Sequence, residues 1–416
     1  MVRKHLRWPG AVAVALSAAV LVPLTGAAAP TPGPAGTAIA AADPGSAPWA
    51  QVPRDQVAAQ CGLDPVLLDR ANAALPSIPF TIVRYGKLCW VNRPADTTST
   101  YHVASVTKTF AATLFGMISQ RSSTLEDTDP VREWLSGWEA GLINPQATLA
   151  HVLAMTSAKL NLATDRKGAW IYDALGLVEI DRLITVMNRA IQREPAAFPG
   201  VTNVQQFAQR YLFDVLGMRD SNWGGSSIAY SLNSTTQDLS RLGLLLMQKG
   251  TWQGTRLLEE KFVYRMTHPA FEDTNTGYGY LTQMNAYQGW TYSSGTNDTA
   301  CSPYSTWPRH PHAPFDATTH NYNGTPYTDE RHDIGLAWAA GVGGQRVSLH
   351  RGLDLVITVR DDSTNEGHKR VWNAMRPALV ALDPRYAGDE AGFCAAYQRS
   401  QYAPTLRFPW SANASR

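Results

Sequence analysis

The spacing of apolar positions changes along the chain. From Asp64 to about Ala74 they recur at helical spacing, and the run from Phe80 to Trp90 then reads as two short strands joined around Tyr85-Gly86. Helical spacing dominates from Ser105 to about Gly250, interrupted by loop signals around 127–130 and 198–202. Beyond it, GYGYLTQM, IGLAWAAG, GGQRVSLHR and LDLVITVRD are short strand-like runs, and a last helix spans His368 to about Leu382. Strands at both ends with a long helical block between them predict an α/β (α+β) fold: one sheet assembled from distant segments, with an inserted helical subdomain. Active sites favour such junctions. The stretch from Asn285 to His332 has no clear period and reads as a long surface insertion. Its His310, His312 and His320 read as solvated loop residues rather than a metal site, because HPH sets two rings awkwardly around a proline.

The ends carry other signals. Arg3, Lys4 and Arg7 precede the apolar run AVAVALSAAVLVPLTG, and Ala27 to Ala29 offer small residues for cleavage, so residues 1–29 read as an export signal. Small residues near Ala40 are a second candidate cleavage site, and a retained anchor is the structural alternative, although the run is short and interrupted for a membrane span. Residues 30–50, rich in Pro, Ala and Gly, read as a flexible lead, and 401–416 as a tail. One domain over 51–400 remains, with its α/β part at about 51–110 and 260–395 and its helical part at about 111–255. A secreted or extracytoplasmic location follows, with no stable membrane span after cleavage. The formal net charge of +2 offers no argument for nucleic acid or an anionic membrane, which leaves small-molecule chemistry as the default. Four cysteines without a CxxC pair, in an exported chain, favour two disulfides over a metal site. Of the pairings available, Cys61 with Cys89 would tie the first helix to the first hairpin, and Cys301 with Cys394 a long loop to the C-terminal helix. Four buried thiols are the alternative.

Ser105 and Lys108, in YHVASVTKTFAATLFGMI, are the candidate chemistry. Residues at i and i+3 share a helical face, so hydroxyl and amine can touch. A helix start supplies unpaired N–H groups and partial positive charge for a forming alkoxide. If Val103, Val106 and Phe110 keep the pocket dry, they disfavour the ammonium form of Lys108 and leave it able to accept a proton. A serine then becomes a nucleophile without a histidine. SxxK arises by chance about once or twice in a chain of this length. The setting is what distinguishes it: a strand-like run just upstream and an apolar-periodic helix directly after.

Several stretches then resemble the serine beta-lactamase and penicillin-binding-protein superfamily, most closely its class C, esterase and D-aminopeptidase-like branch. ASVTKTF resembles the nucleophile motif, and LEDTDPVREWL the segment that follows that helix. ATLAHVLAMTSAKL is similar to the Leu-Leu-x-His-Thr-Ser-Gly-Leu stretch, with Met155 where His is common and Ala158 where Gly is common. RYLFDVLGMRDSNW resembles the Pro-Leu-Gly-Met segment with Val215 in place of Pro, and STTQDLSRLGLLLMQKGTWQG the Ser-Thr-x-x-Asp-Leu-x-Arg helix. The resemblance covers most of 80–260 and about 333–362, and implies a beta-lactamase/transpeptidase-like fold: an antiparallel sheet flanked by helices, with an all-helical insertion.

It also implies a Tyr-x-Asn element, best matched by Tyr172 in AWIYDALGL with Ala174 where Asn is expected. Tyr172 would share a proton with Lys108 and Ser105; otherwise it is a core residue beside Trp170. The third element implied, a Lys or His followed by Ser, Thr or Gly and then Gly, falls on Val342, Gly343 and Gly344. There the Gln345 amide would pair with the Ser105 amide as an oxyanion hole. Val342 offers no cation for the carboxylate of a beta-lactam or peptide. The expected activity is an exported serine hydrolase acting on an ester or small amide, with no cofactor and a small-molecule or peptide-like substrate. A beta-lactamase or D,D-peptidase, and a catalytically silent binding protein of the same fold, are the alternatives. Oligomeric state and the acyl and leaving groups are not legible.

Overall fold

Asp64 accepts hydrogen bonds from the Val66 and Leu67 amides at 2.8 and 3.2 Å, and Pro65 takes the first helical position, so helix α1 (Pro65–Ala74) starts at a built cap. The computed structural model describes residues 43–157, 172, 174–268, 270–271, 278–284, 336–360 and 367–394, all within one compact unit, Ala40–Arg416. After α1 come strands β1 (Phe80–Arg84) and β2 (Lys87–Val91), turned by Tyr85 and Gly86 at φ 52° and 75°. Both turn residues lie in the left-handed region that a tight hairpin needs. Helices α2 (Val106–Arg121), α3 (Ala174–Arg193) and α4 (Thr236–Met247) follow. Strands β3 (Gln283–Met284), β4 (Leu336–Ala340), β5 (Arg346–His350) and β6 (Leu355–Val359), and helix α5 (Gly367–Leu382), complete the frame.

The sheet runs β2-β1-β6-β5-β4-β3 and is antiparallel throughout. Its first hairpin thus pairs with a strand from the far end of the chain, Phe80 opposite Val359 and Arg84 opposite Leu355. Alternation sorts the strands onto two cores. Phe80, Ile82, Leu355, Ile357 and Val359 pack with Val371, Trp372, Met375 and Leu379 of α5. Val83, Val347, Leu349 and Val356 face the helical side with α2 and α4. Between α4 and the sheet, Ser240 Oγ lies 2.7 Å from Thr81 Oγ1 and 2.8 Å from Thr358 Oγ1, so these buried hydroxyls satisfy one another. Two-sided burial of the sheet rests on elements contributed by both ends of the chain.

Several elements differ from the expected ones. Helix α4, placed by sequence position in the helical insertion, packs on the sheet: a methyl on Gly243 would lie 2.7 Å from Val356 and 2.8 Å from Val347. Helix α2 is not periodic at its surface, because it is buried on every side from Val106 to Ile118. Its polar residues are satisfied internally, Thr109 Oγ1 donating to the Leu281 carbonyl at 2.9 Å and Thr113 Oγ1 to the Thr109 carbonyl at 3.0 Å. Within the stretch read as helical, Asn222–Trp223 and Leu232–Ser234 form a small three-stranded sheet with Tyr101–His102, which lies just before that stretch; these strands are too short to register as a period. Of the described part of GYGYLTQM, residues 278–284, only Gln283–Met284 is strand; Gly279 donates to the Thr282 carbonyl at 2.9 Å and folds the residues before the strand into a turn. The last part of the expected flexible lead is docked: Arg241 donates to the Gly45 and Ala47 carbonyls at 2.9 and 2.7 Å.

Cys61 and Cys89 form a disulfide, and Cys394 is also disulfide-bonded; Cys301, the partner expected for it, lies outside the described residues. The export signal, the insertion with its three histidines, and the C-terminal tail lie outside them as well. Among the described residues no helix is long and apolar enough to cross a membrane, and no cluster of His, Cys, Asp and Glu could hold a metal ion.

Candidate active site

Ser105 caps the N-terminus of α2, and the chain reaches it through Ala104, which adopts a left-handed φ of 49°. Such a conformation costs a non-glycine residue of order 1 kcal/mol or more and persists only where its surroundings hold it. Here they do. The Val103 amide donates to the Leu232 carbonyl at 3.1 Å, and the Lys108 amide donates to the Ser105 carbonyl at 3.0 Å. Thr107 Oγ1 donates to the Ala104 carbonyl at 2.6 Å and accepts from the Leu232 amide at 3.1 Å. The nucleophile candidate therefore stands on a kinked, tethered loop at the mouth of a buried helix.

One turn into that helix, Lys108 is only 2% exposed, and its Nζ lies 2.7 Å from Ser105 Oγ and 2.8 Å from the Ala229 carbonyl. Burial lowers its pKa from an ordinary 10.5 to about 7, with Asp181 acting in the opposite sense. A large share of the amine is therefore neutral near pH 7 and able to take the Ser105 proton.

Tyr172 lies just before α3, with Lys108 Nζ 4.8 Å from its ring centre. Burial pushes the Tyr172 pKa up, while the Ser105 hydrogen bond and the positive Arg346 pull it down. Tyr278 packs edge-on against Tyr172 with ring centres 6.3 Å apart, and its hydroxyl donates to Met155 Sδ at 3.3 Å. Lys108 is thus hydrogen-bonded to Ser105 on one side and packed against the Tyr172 ring on the other.

The glycine-rich segment forms the turn between β4 and β5. The Gly341 amide donates to the Gln345 carbonyl at 2.8 Å and the Gly344 amide to the Gly341 carbonyl at 3.1 Å, while Gly343 and Gly344 take φ values of 88° and 89°. Only glycine adopts that pair of conformations without strain. Gly341 approaches the nucleophile loop so closely that a methyl there would overlap the Val103 carbonyl oxygen and lie 3.3 Å from Ala104 Cβ. Gln345 folds its side chain under the turn, and its Oε1 is buried with no hydrogen-bond partner among the described residues. Val342, at the tip, is 69% exposed and uncharged.

Three contributors escaped the sequence: Gly341, the Ala229 carbonyl and Asp181. Gly341 precedes a more conspicuous glycine pair, and its signal was only its place at the end of a strand-like run. Ala229 acts through its backbone, which no side-chain pattern reveals. Asp181 accepts from the Ile228 amide at 2.8 Å and the Ser227 hydroxyl at 2.9 Å. Its one visible signal was an acid interrupting the apolar run of ALGLVEIDRLI.

A beta-lactamase family model matches residues 66–307, more than half of the chain. No curated protein matches the sequence. Among solved structures, a beta-lactamase from Sulfitobacter sp. EE-36 is 15% identical, with 80% of this chain and 100% of that one covered and a TM-score of 0.49. A class C beta lactamase from Rhodobacter sphaeroides is 12% identical, with 74% and 98% covered and a TM-score of 0.46. A putative 6-aminohexanoate-dimer hydrolase from Bacillus anthracis is 14% identical, with 73% and 79% covered and a TM-score of 0.45.

Proposed function

This chain belongs to the beta-lactamase family, and from that premise we propose that it is an exported serine hydrolase that cleaves a neutral ester or small amide through an acyl-enzyme on Ser105. Ser105 Oγ attacks the substrate carbonyl as its proton passes to the Lys108 amine, with Tyr172 sharing it. The Ser105 and Gln345 amides hold the tetrahedral oxyanion, and Gly343 and Gly344 let the turn backbone come close. The same proton goes to the leaving alcohol or amine as its bond to the carbonyl carbon breaks. Water then attacks the acyl carbon, gives a proton to the Lys108–Tyr172 pair, and the Ser105 ester bond breaks to release the acid and restore the hydroxyl.

The carrying observation is the 2.7 Å contact between Lys108 Nζ and Ser105 Oγ, with that amine 2% exposed. The neutral side chain of Val342 supports uncharged substrates, since an anionic one gains nothing from it. Export rests on the basic start and apolar run of the N-terminus, and the domain over about 51–400 carries the activity.

The test is hydrolysis of a short-chain p-nitrophenyl ester by wild type and Ser105→Ala. Turnover by wild type and loss of about 10³-fold or more in the variant is expected. Equal rates would remove the mechanism, and rapid turnover of a chromogenic cephalosporin would replace the ester by a beta-lactam as substrate.

A further inference from the structure

The Ala229 carbonyl that receives the Lys108 amine lies in a turn outside any helix or strand, so something else must fix it. Asp181 of α3 does so by a short relay. Its Oδ1 accepts from the Ile228 amide at 2.8 Å and from Ser227 Oγ at 2.9 Å, and Ser227 Oγ accepts in turn from the Ala229 amide at 2.9 Å. On the far side Trp223 Nε1 donates to the Ser227 carbonyl at 2.9 Å. An asparagine oxygen could accept both bonds as well as a carboxylate does, so holding the turn does not by itself call for a charge.

The charge has another object. Lys108 is packed by Ser105, Tyr172 and the Ala229 turn; beyond Tyr172 lie Tyr278 and the positive Arg346. Burial pushes both tyrosines up, so they are neutral near pH 7. Asp181 is the acid whose charge reaches the amine among the described residues. Burial raises the Asp181 pKa, while the Ile228 and Ala229 amides, the Ser227 hydroxyl and Lys108 itself act to keep it ionised.

We propose that Asp181 is a positioning residue for Lys108: through Ser227 and Ile228 it sets the Ala229 carbonyl that anchors the amine against Ser105, and its negative charge steadies the ammonium that forms as Ser105 attacks. The catalytic half rests on the serine-hydrolase mechanism above; the coupling between Asp181 and Lys108 does not.

Asp181→Asn and Asp181→Ala separate the two contributions. In protein labelled with 13C at lysine Cε, the Lys108 resonance, assigned by its loss in Lys108→Arg, reports protonation of the amine directly. In Asp181→Asn its midpoint should fall by about half a pH unit or more, because the opposing charge is gone while the turn stays bonded. Labelling of Ser105 by a fluorophosphonate probe should fall only about two- to three-fold in Asp181→Asn at pH 9, where the amine starts neutral and only the counter-charge for the forming ammonium is lost, and about tenfold or more at every pH in Asp181→Ala, where the carbonyl is also released. An unchanged Lys108 midpoint in Asp181→Asn, or wild-type labelling by folded Asp181→Ala, would overturn the proposal. Should wild type itself fail to label at Ser105, the hydrolase mechanism falls, and the Asp181→Asn midpoint still decides the coupling. A collapse of Asp181→Ala, seen by circular dichroism, leaves that same midpoint as the deciding measurement.

Discussion

In Lys108→Met the side chain keeps nearly the same length and flexibility but loses the amine that α2 buries. The unfolded chain binds the lysine proton with the ordinary value of 10.5, and the folded site does so at about 7. Between those values the unfolded state holds more protons, so the Lys108 contribution to stability becomes more favourable as pH rises through that window. Below about pH 7 both states are protonated and the cost of the buried charge is present in full. At about 1.4 kcal/mol for each tenfold change in proton affinity, it amounts to about 5 kcal/mol as an upper bound. Against it stand the two hydrogen bonds to Ser105 Oγ and the Ala229 carbonyl, at 2.7 and 2.8 Å, which methionine cannot make. Losing them, and leaving that carbonyl unsatisfied, removes about 2–4 kcal/mol. At pH 6 the variant should therefore be more stable by about 1–3 kcal/mol, a rise of a few degrees in melting temperature for a domain of this size. At pH 9 the wild-type cost has dropped to about 2 kcal/mol, so the two proteins should melt together or the order should reverse. Scanning calorimetry of both at pH 6 and pH 9 reads this out. A variant that melts below wild type at pH 6, or a gap that does not change with pH, would refute the buried, weakly basic amine. Esterase activity in the methionine variant would refute Lys108 as the base.

Other outcomes follow from the same geometry. The rate of ester hydrolysis at low substrate should rise with pH through about 7, because the working form of Lys108 is the neutral amine whose pKa burial sets there; a flat profile from pH 5 to 9 would point to another base. Gly341→Ala should cost about 1–3 kcal/mol in thermal stability and lower kcat about a hundredfold, since the added methyl pushes the β4–β5 turn off Val103 and Ala104. Wild-type kcat there would show that the turn takes no part in catalysis. Replacing both Cys61 and Cys89 by serine opens a loop with a sequence separation of 28 residues and should lower stability by about 3–4 kcal/mol in denaturant titration, with ester hydrolysis retained in the folded protein.

The sheet was legible because its strands carry strong local signals. FTIVR and LVITV are β-branched runs buried along their length, and such segments read as strands whatever their partners. What period alone did not say is that they pair with each other across most of the chain. The Ser105–Lys108 contact was legible because one helical turn fixes it, whereas Tyr172 was reachable only through family resemblance, its backbone lying just outside α3. Helix α2 was legible as a helix, but full burial erases the amphipathic spacing expected of it, and its threonines, polar by composition, are satisfied inside. Asp181 went unread because its role lies in the turn that folds back onto it from residues 227–229. The docked segment at Gly45 and Ala47 escaped notice because Arg241 recognises its carbonyls, and a carbonyl has no sequence signature.

The two groups that place the chemistry, the Ala229 carbonyl and the close approach of Gly341, are both backbone, and each is followed directly by an exposed apolar side chain. Tyr230 is 51% exposed and Val342 69%. Backbone positions of this kind depend on the turn and on what anchors it: Asp181 and Trp223 for the first, the Gly341–Gln345 and Gly344–Gly341 bonds for the second. They do not depend on which side chain comes next. Residues 230 and 342 are thus free to differ in size and charge while the amine stays on Ser105 and the turn stays on Ala104. On the proposed mechanism, the absence of a cation at Val342 would bear on which substrates are held and leave the means of activating the serine intact. On that reading, the side chain at 342 can change while Lys108 stays on Ser105 and against the Tyr172 ring.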